Sequence, residues 1–215
     1  VLLLAPATAN TVGKVAGAID DTPVTTCATT ALGAGVPVVV APAMHEPMYD
    51  HPGVLDAIER VESWGVGFVD PRVAEGKAKI ATEEAIVTEV ARATTEDILA
   101  GKHVVVSAGA TSEPIDPIRT LTNRASGKTC RAVAKACYVR GADVTLVQDG
   151  PDVPYAEVRR VERAREMLDA VLDALADDGD AFVSAAAVSD FTVEREDEKI
   201  KSGGELNLDL WPTPK

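Results

Sequence analysis

The sequence predicts an α/β protein made of two consecutive parallel-sheet units, and three observations carry that prediction. Short apolar runs of strand length alternate along the chain with stretches whose apolar residues recur every three or four positions. βαβ crossovers read this way, because strands covered on both faces become continuously apolar while their helices stay two-faced. Gly141 and Gly179 follow the last periodic residues of two predicted helices, as helix C-terminal caps do. Near residue 100 the pattern restarts, with Gly101-Lys102 leading into HVVVSAG, which divides the chain into residues 1–97 and 98–215.

The elements follow in order. Val1 to Ala5 is the first strand, and Val12, Val15, Ala16 and Ile19 mark one face of the helix after it. Val38 to Ala41 and Gly67 to Val69 are the next strands, and Thr94 with Asp97 reads as a short capping box at the boundary. In the second unit His103 to Ser107 is a strand, and Cys130, Val133, Ala134 and Cys137 lie on one helical face. Asp143 to Val147 and Ala181 to Ala185 are further strands. Between them, residues 164–176 form a helix with Met167, Leu168, Val171, Leu172 and Leu175 on one side. No internal repeat or low-complexity segment interrupts the series.

Composition excludes several classes. With 46% apolar residues in 215 the chain can bury a core, so disorder is excluded despite a net charge of −13. That acidity argues against nucleic acid as a partner. No uninterrupted apolar stretch approaches the roughly 18 residues of a membrane span. Cys27, Cys130 and Cys137 lack the spacing of a disulfide framework or a zinc site, which points to a reducing cytoplasm. An acidic surface with more Arg than Lys and few aromatics suits a salt-rich interior, so a halophilic, archaeal source is expected. The chain starts inside a strand at Val1 and stops at LWPTPK, so it is expected to lack both ends of a longer protein.

Ligands of open α/β sheets bind at the carboxyl ends of strands, so the residues just after each run matter most. After the first strand come Pro6-Ala7-Thr8-Ala9-Asn10-Thr11, suited to a polar ligand at a helix start; helix capping by Thr8 or Asn10 is the plainer reading of the same residues. After the second comes Pro42-Ala43-Met44-His45-Glu46-Pro47-Met48-Tyr49, a stiff loop suited to a flat apolar ligand. A helical zinc site at His45, Glu46 and His51 fails on spacing, and Pro47 would break the helix. After HVVVSA, a loop of about 17 residues rich in Thr, Asn, Ser and Gly reads as a ligand-binding connection. It contains one turn glycine, which excludes a dinucleotide GxGxxG, and it lacks the first glycine of a P-loop. Small residues there admit backbone N–H groups to phosphates, while Arg119, Arg124 and Lys128 offset their charge.

PATANT followed by PAMHEPMY resembles the FMN-dependent cysteine decarboxylase family, which oxidises a substrate thiol so that the carboxylate leaves. The resemblance implies that Thr8, Ala9 and Asn10 contact FMN, with Thr25 and Thr26 in a flavin-side stretch. It also implies that the loop with Met44, His45 and Met48 covers the substrate carboxylate. His45 stands where the family has Asn and Tyr49 where it often has Trp. The family's histidine would lie upstream of Val1, and Glu75-Gly76-Lys77-Ala78-Lys79 replaces a lid with a cysteine.

The stretch GATSEPIDPIRTLTNRASGK is similar to the phosphopantothenoylcysteine synthetase motif. Ala185-Ala186-Ala187-Val188-Ser189-Asp190-Phe191 and Glu198-Lys199-Ile200-Lys201 resemble two later segments of that family. The same two modules occur fused, in this order, in bifunctional phosphopantothenoylcysteine decarboxylase/synthetases of coenzyme A synthesis. For both units the resemblance implies a Rossmann-like, flavodoxin-like sheet. The implied reactions are CTP- and Mg²⁺-dependent joining of 4′-phosphopantothenate to cysteine, then FMN-dependent decarboxylation.

By the same resemblance Asn123 holds the acyl intermediate, Lys199 supplies charge between the repelling anions, and Ala186 and Asp190 meet the nucleotide. Gly109, Thr111, Glu113, Asp116, Arg119, Ser126, Gly127 and Lys128 line the nucleotide and substrate site, and Lys201 is a phosphate contact or a solvated charge. No residue is assigned to the metal. Taken on charge alone, EREDEKIKSGGE around Lys199 reads as a solvated run. The family implies homo-oligomers, a trimer through the flavin half and a dimer through the ligase half. A non-catalytic flavin-binding regulator and an NAD(P)-dependent oxidoreductase are the alternative classes.

Overall fold

The computed structural model describes residues 1–201 and 203–214; Ser202 and Lys215, in the predicted second unit, lie outside the described residues. Contacts divide the chain into two units, Val1–Glu96 and Asp97–Lys215.

In the first unit the elements are β1 (Leu2–Ala7), α1 (Ala9–Ala16), α2 (Pro23–Gly33), β2 (Val38–Pro42), β3 (Met44–His45) and α3 (Glu46–Tyr49). Then come α4 (Pro52–Glu62), β4 (Gly67–Phe68), β5 (Arg72–Ala74), β6 (Lys77–Lys79) and α5 (Glu83–Thr94). A parallel sheet runs in the order β1-β2-β4. β2 is buried along its whole length. Val38 and Val40 join Leu4 in the core under α1, α2 and α4, while Val39 and Ala41 pack with Ala85 of α5 on the opposite face. Alternation on a strand covered from both sides explains the unbroken VVVA run. β3, β6 and β5 make a small antiparallel sheet, so the predicted stiff loop is a strand followed by a helical turn.

Two predictions for this unit are corrected. The helix stops at Ala16, where Gly17 and the left-handed Ala18 turn the chain, so Ile19 is half-exposed instead of continuing the apolar face. No helix starts after Thr94; that residue ends α5 and its hydroxyl donates back to the Val90 carbonyl, and Asp97–Ala100 is a turn.

The second unit contains β7 (His103–Ala108), β8 (Ser112–Asp116), β9 (Arg119–Thr122), α6 (Lys128–Val139), β10 (Asp143–Gln148) and β11 (Glu157–Arg160). α7 (Ala164–Asp177), β12 (Ala181–Ser184), β13 (Phe191–Val193) and β14 (Leu210–Pro212) complete it. Its parallel sheet runs β11-β10-β7-β12. Val104 and Val106 pack with Cys130 and Ala134 of α6, while Val105 and Val147 pack with Met167 and Val171 of α7. Leu172 departs from its predicted place and is 54% exposed. At 100° per residue it lies to one side of the stripe made by Met167, Val171 and Ala174. The predicted loop after β7 contains the antiparallel β8–β9 hairpin, so much of it is ordered strand.

Among the described residues no helix is long and apolar enough to cross a membrane, and no group of three or more His, Cys, Asp or Glu could hold a metal ion.

Candidate functional site

The sheet of the second unit reverses direction at β7: β10 and β11 lie to one side and β12 to the other. Crossovers that leave on opposite faces open a crevice at the carboxyl ends of the two strands where they part. The residues beyond β7 and β12 are knit together there. The Ala187 N–H donates to the Gly109 carbonyl at 2.7 Å, and the Thr111 N–H donates to the Ala187 carbonyl at 3.3 Å. Ser107 Oγ accepts the N–H groups of Ala185 and Ala186.

Asn123 sits on this frame. Its carboxamide nitrogen donates to the carbonyls of Ala187 and Val188, both at 3.2 Å, which fixes the amide plane and orients its oxygen. Gly127 begins α6 with left-handed backbone and without a side-chain cap. A Cβ on Gly127 would lie 3.0 Å from the Gly109 nitrogen, so only glycine lets the helix start press against the end of β7. The uncapped N–H groups of a 12-residue helix thus open beside the crevice. Ser126 and Lys128 flank that start, and Lys128 is exposed.

Arg131, absent from the sequence-based candidates, braces the same start. Its guanidinium donates to the Ser126 carbonyl at 2.6 Å and to Gln148 Oε1 at 3.2 Å. Its position one helical turn beyond Gly127 was the only signal available in the sequence. A cavity of about 440 Å³ opens along β12 and α7, lined among others by Ser107, Ser184, Ala186, Val188, Ser189 and Asp190. It brings Ala186 and Asp190 together and adds three serines that the sequence did not single out.

Three predicted ligand contacts are committed to the protein instead. Thr111, Glu113 and Asp116 are 0%, 4% and 2% exposed. Thr111 Oγ1 accepts the Ser189 N–H at 2.8 Å. Glu113 accepts the Ala164 N–H at the start of α7 and the Thr192 hydroxyl. Asp116 accepts the N–H groups of Ile118, Arg119 and Ile200 and pairs with the Arg119 guanidinium. Burial opposes the charged form of Asp116, but those donors together outweigh it and hold the carboxyl below its ordinary value. A buried polar side chain needs such partners, so these three groups are committed within the protein.

Lys199 and Lys201 are exposed, on a segment bound at Ile200 to the turn end of the hairpin. Asn123 follows the other end of β9, so the strand's length, about 13 Å at roughly 3.3 Å per residue, separates the two anchors.

In the first unit, the end of β1 is joined to the chain after β2 by the Ala43 N–H to the Ala7 carbonyl at 2.9 Å. A groove of about 420 Å³ runs along the edge strand β1, with Leu3, Pro6, Asn10, Lys14, Val24 and Thr25 among its walls. Of the five predicted flavin contacts, Asn10 and Thr25 reach this groove, while Thr8, Ala9 and Thr26 do not line it. Thr8 caps α1, and the Thr25 hydroxyl is buried in a capping box with Thr22. The Thr26 hydroxyl donates to Asp20 and to the Thr22 carbonyl.

Met44 and His45 sit on β3, with His45 opposite Lys77 of β6 and both exposed; Met48 is 45% exposed on α3. Tyr49 stays a neutral phenol, its pKa raised by burial and by Asp70, Glu62 and Asp50.

Two family descriptions and several known proteins are similar to this chain. The family described as "DNA/pantothenate metabolism flavoprotein C-terminal domain" matches residues 99–215, and the family described as "Flavoprotein" matches residues 1–95. A Coenzyme A biosynthesis bifunctional protein CoaBC of Thermococcus kodakarensis is 51% identical over 218 residues, covering 100% of this chain and 54% of that protein. The protein of the same name from Bacillus subtilis is 40% identical over 228 residues, covering 99% of this chain and 55% of that protein. A solved C-terminal domain of a CoaBC protein aligns with TM-score 0.47 and 31% identity, covering 56% of this chain and 58% of that one. The chain thus spans about half the length of the curated relatives it matches. With more than half of its residues under one family description, the chain belongs to the DNA/pantothenate metabolism flavoprotein C-terminal domain family.

Proposed function

We propose that the chain is part of an enzyme of coenzyme A synthesis in which the second unit ligates 4′-phosphopantothenate to cysteine and the first decarboxylates the product. The observation that carries the ligase reading is the strand-tip crevice: Asn123 fixed on two carbonyls, beside an uncapped helix start pressed onto Gly109. Backbone N–H groups at such a start suit the phosphates of a nucleoside triphosphate, of which CTP is the candidate. Lys128 adds charge, and Asp190 and Ala186 lie in the adjoining cavity for the nucleoside.

In the first half-reaction the carboxylate oxygen of phosphopantothenate attacks the α-phosphorus and pyrophosphate leaves. In the second, the cysteine amine attacks the acyl carbon, the nucleotide leaves, and the amine loses a proton. The Asn123 amide would hold the acyl carbonyl by turning one N–H from the Ala187 or Val188 carbonyl toward it, without adding charge to a crowded anionic site. Lys199, on the segment held at Ile200 by Asp116 and Arg119, and Asn123 serve different parts of an extended substrate pair. Mg²⁺, if bound with the triphosphate, would supply charge against its phosphates, and no residue of the chain is assigned to hold it.

In the first unit the groove beside β1 has apolar walls and an amide at Asn10, and its volume lies within the ordinary range of ligand sites, so it fits a flavin. Bound FMN would supply the electron acceptor for thiol oxidation. Asn10 would hydrogen-bond it, and His45 with Lys77 would present two basic side chains to the substrate carboxylate. Oligomers, a dimer through the second unit and a trimer through the first, belong to the same reading.

The test is incubation with phosphopantothenate, cysteine and each nucleoside triphosphate in turn, measuring pyrophosphate and carbon dioxide separately. Pyrophosphate release that requires phosphopantothenate and is best with CTP supports the ligase. Yellow protein with no carbon dioxide release replaces the decarboxylase by flavin binding alone, and NAD(P)H binding in place of both points to an oxidoreductase.

A further inference from the structure

After β13 the chain runs beside the hairpin, and after β14 it pairs again with the residues that precede β13. Going out, the Glu196 N–H donates to the Ile115 carbonyl at 2.9 Å; coming back, the Thr213 N–H donates to the Asp190 carbonyl at 3.0 Å. Between these points one peptide unit after another is gripped at a single residue. The Ile200 N–H donates to Asp116 Oδ2 at 3.2 Å, and the Ile200 carbonyl accepts from the Arg119 guanidinium at 3.1 Å. Asp116 Oδ2 also receives that guanidinium, which closes a ring of three groups around the backbone of Ile200. The other carboxylate oxygen, Oδ1, accepts the N–H groups of Ile118 and Arg119, each at 2.8 Å, and so shapes the hairpin turn.

Residues on both sides of the gripped one are exposed lysines, Lys199 and Lys201, with no side-chain partner among the described residues. A buried carboxylate with every lone pair in use is costly to assemble unless its product is a fixed backbone. What it fixes here is a backbone flanked by two exposed cations in a chain of net charge −13.

We infer that Asp116 and Arg119 are positioning residues: together they form a latch that sets where Lys199 and Lys201 stand relative to the Asn123 crevice. They touch no substrate in this role and act through the lysines. The inference rests on the ligase reading above for the task of the lysines, and on the hydrogen bonds alone for the latch.

Asp116→Asn separates the two jobs of the carboxylate. Its remaining oxygen can still accept at the turn, while its NH₂ group meets two donors, the Ile200 N–H and the Arg119 guanidinium, and cannot accept from either. In the full protein, amide hydrogen exchange at Ile200 is expected to rise about tenfold or more, since charge-assisted bonds are lost. Trypsin cleavage after Lys199 should quicken in step, with the cooperative unfolding transition retained. Pyrophosphate release should lose kcat by about tenfold, the scale of one misplaced hydrogen-bonded group, with the Kd for CTP changed by less than about twofold. Arg119→Lys, which keeps the charge and can still reach one partner, should recover part of both effects, and Arg119→Gln should not.

Unchanged exchange at Ile200 in Asp116→Asn overturns the latch. Faster exchange with an unchanged kcat overturns the positioning role. A wild-type protein that releases no pyrophosphate overturns the ligase reading and the positioning role with it, while the exchange data still decide whether the latch exists. Should Asp116→Asn lose its unfolding transition, Arg119→Gln, whose side chain is one-third exposed, carries the same readouts.

Discussion

Gly127 and Gly109 meet so closely that a Cβ on the former would stand 3.0 Å from the backbone nitrogen of the latter and 3.1 Å from its Cα. Both glycines have left-handed backbone, with φ of 67° and 79°. The contact seats the start of α6 on the end of β7, and backbone cannot move aside as a side chain can. Gly127→Ala should therefore destabilise the second unit by about 1–3 kcal/mol, from left-handed strain and the displaced contact together. Urea unfolding checks it, and a loss below about 0.5 kcal/mol would mean that the helix start is not pressed there.

Asn123 should tolerate no acid. In Asn123→Asp a carboxylate replaces the donor that faces the Ala187 and Val188 carbonyls, so two acceptors confront a third. Under the ligase reading, amide formation should drop by at least about a hundredfold, on the scale of losing a preorganised polar group at the reacting centre. Stopped-flow or quenched assays that follow the acyl nucleotide and the amide separately would locate the defect in the second half-reaction. An equal fall in pyrophosphate release would place Asn123 earlier.

Thr25 belongs to the frame of its groove more than to its contents. Its hydroxyl accepts the N–H groups of Asp21 and Thr22 and donates to the Thr22 carbonyl, and the residue is 2% exposed. Thr25→Val should cost the first unit about 1–2 kcal/mol, the usual value of a lost cap and its buried hydrogen bonds. Flavin bound per folded chain should be unchanged, whereas Asn10→Ala should reduce it. Absorbance near the flavin bands, normalised to protein, separates the two. Equal loss in both variants would move Thr25 into direct contact.

At the opposite end of β7 from the crevice, Lys102 and Asp180 form an ion pair at 2.8 Å. Its hydrogen bond and charge raise the pKa of Lys102, while Lys102 and the His103 N–H lower that of Asp180. A depressed carboxyl stabilises the fold at pH values above its ordinary pKa of about 3.9, and the benefit fades as pH falls through the lowered value. A raised ammonium does the reverse, stabilising below about 10.4 and losing its effect as pH rises through the higher value. The unfolding midpoint of wild type should exceed that of Asp180→Asn across neutral pH, and the gap should shrink as pH falls below the ordinary carboxyl value. Both groups reach solvent, so added salt should narrow the gap as well. A gap independent of pH and salt would show that the carboxylate matters only as a hydrogen-bond acceptor to His103.

Much of the fold was legible because burial on both faces leaves a strong mark. Val38 to Ala41 and Val104 to Val106 are unbroken apolar runs within their strands, and the helix at Met167 and Val171 keeps its period. Where a stripe was overextended, as at Ile19 and Leu172, a left-handed residue or a hundred-degree step had moved the side chain off the core, and spacing alone does not report either.

The candidate site was legible as a place and less so as a set of roles. Gly109, Gly127 and Asn123 gather at the switch point because strand ends and helix starts are local features with local sequence marks. Thr111, Glu113 and Asp116 carry the same kinds of polar group and sit in the same motif, yet they turn inward to hold Ser189, Ala164 and Ile200, which lie 51 to 84 positions away, farther than the motif spans. By itself, then, the order of residues determined two α/β units and where their strands end. Which polar side chains face a ligand and which bind the chain's own returning segments was decided by tertiary structure, because a buried acceptor must find its donors in space, and those donors are remote in sequence.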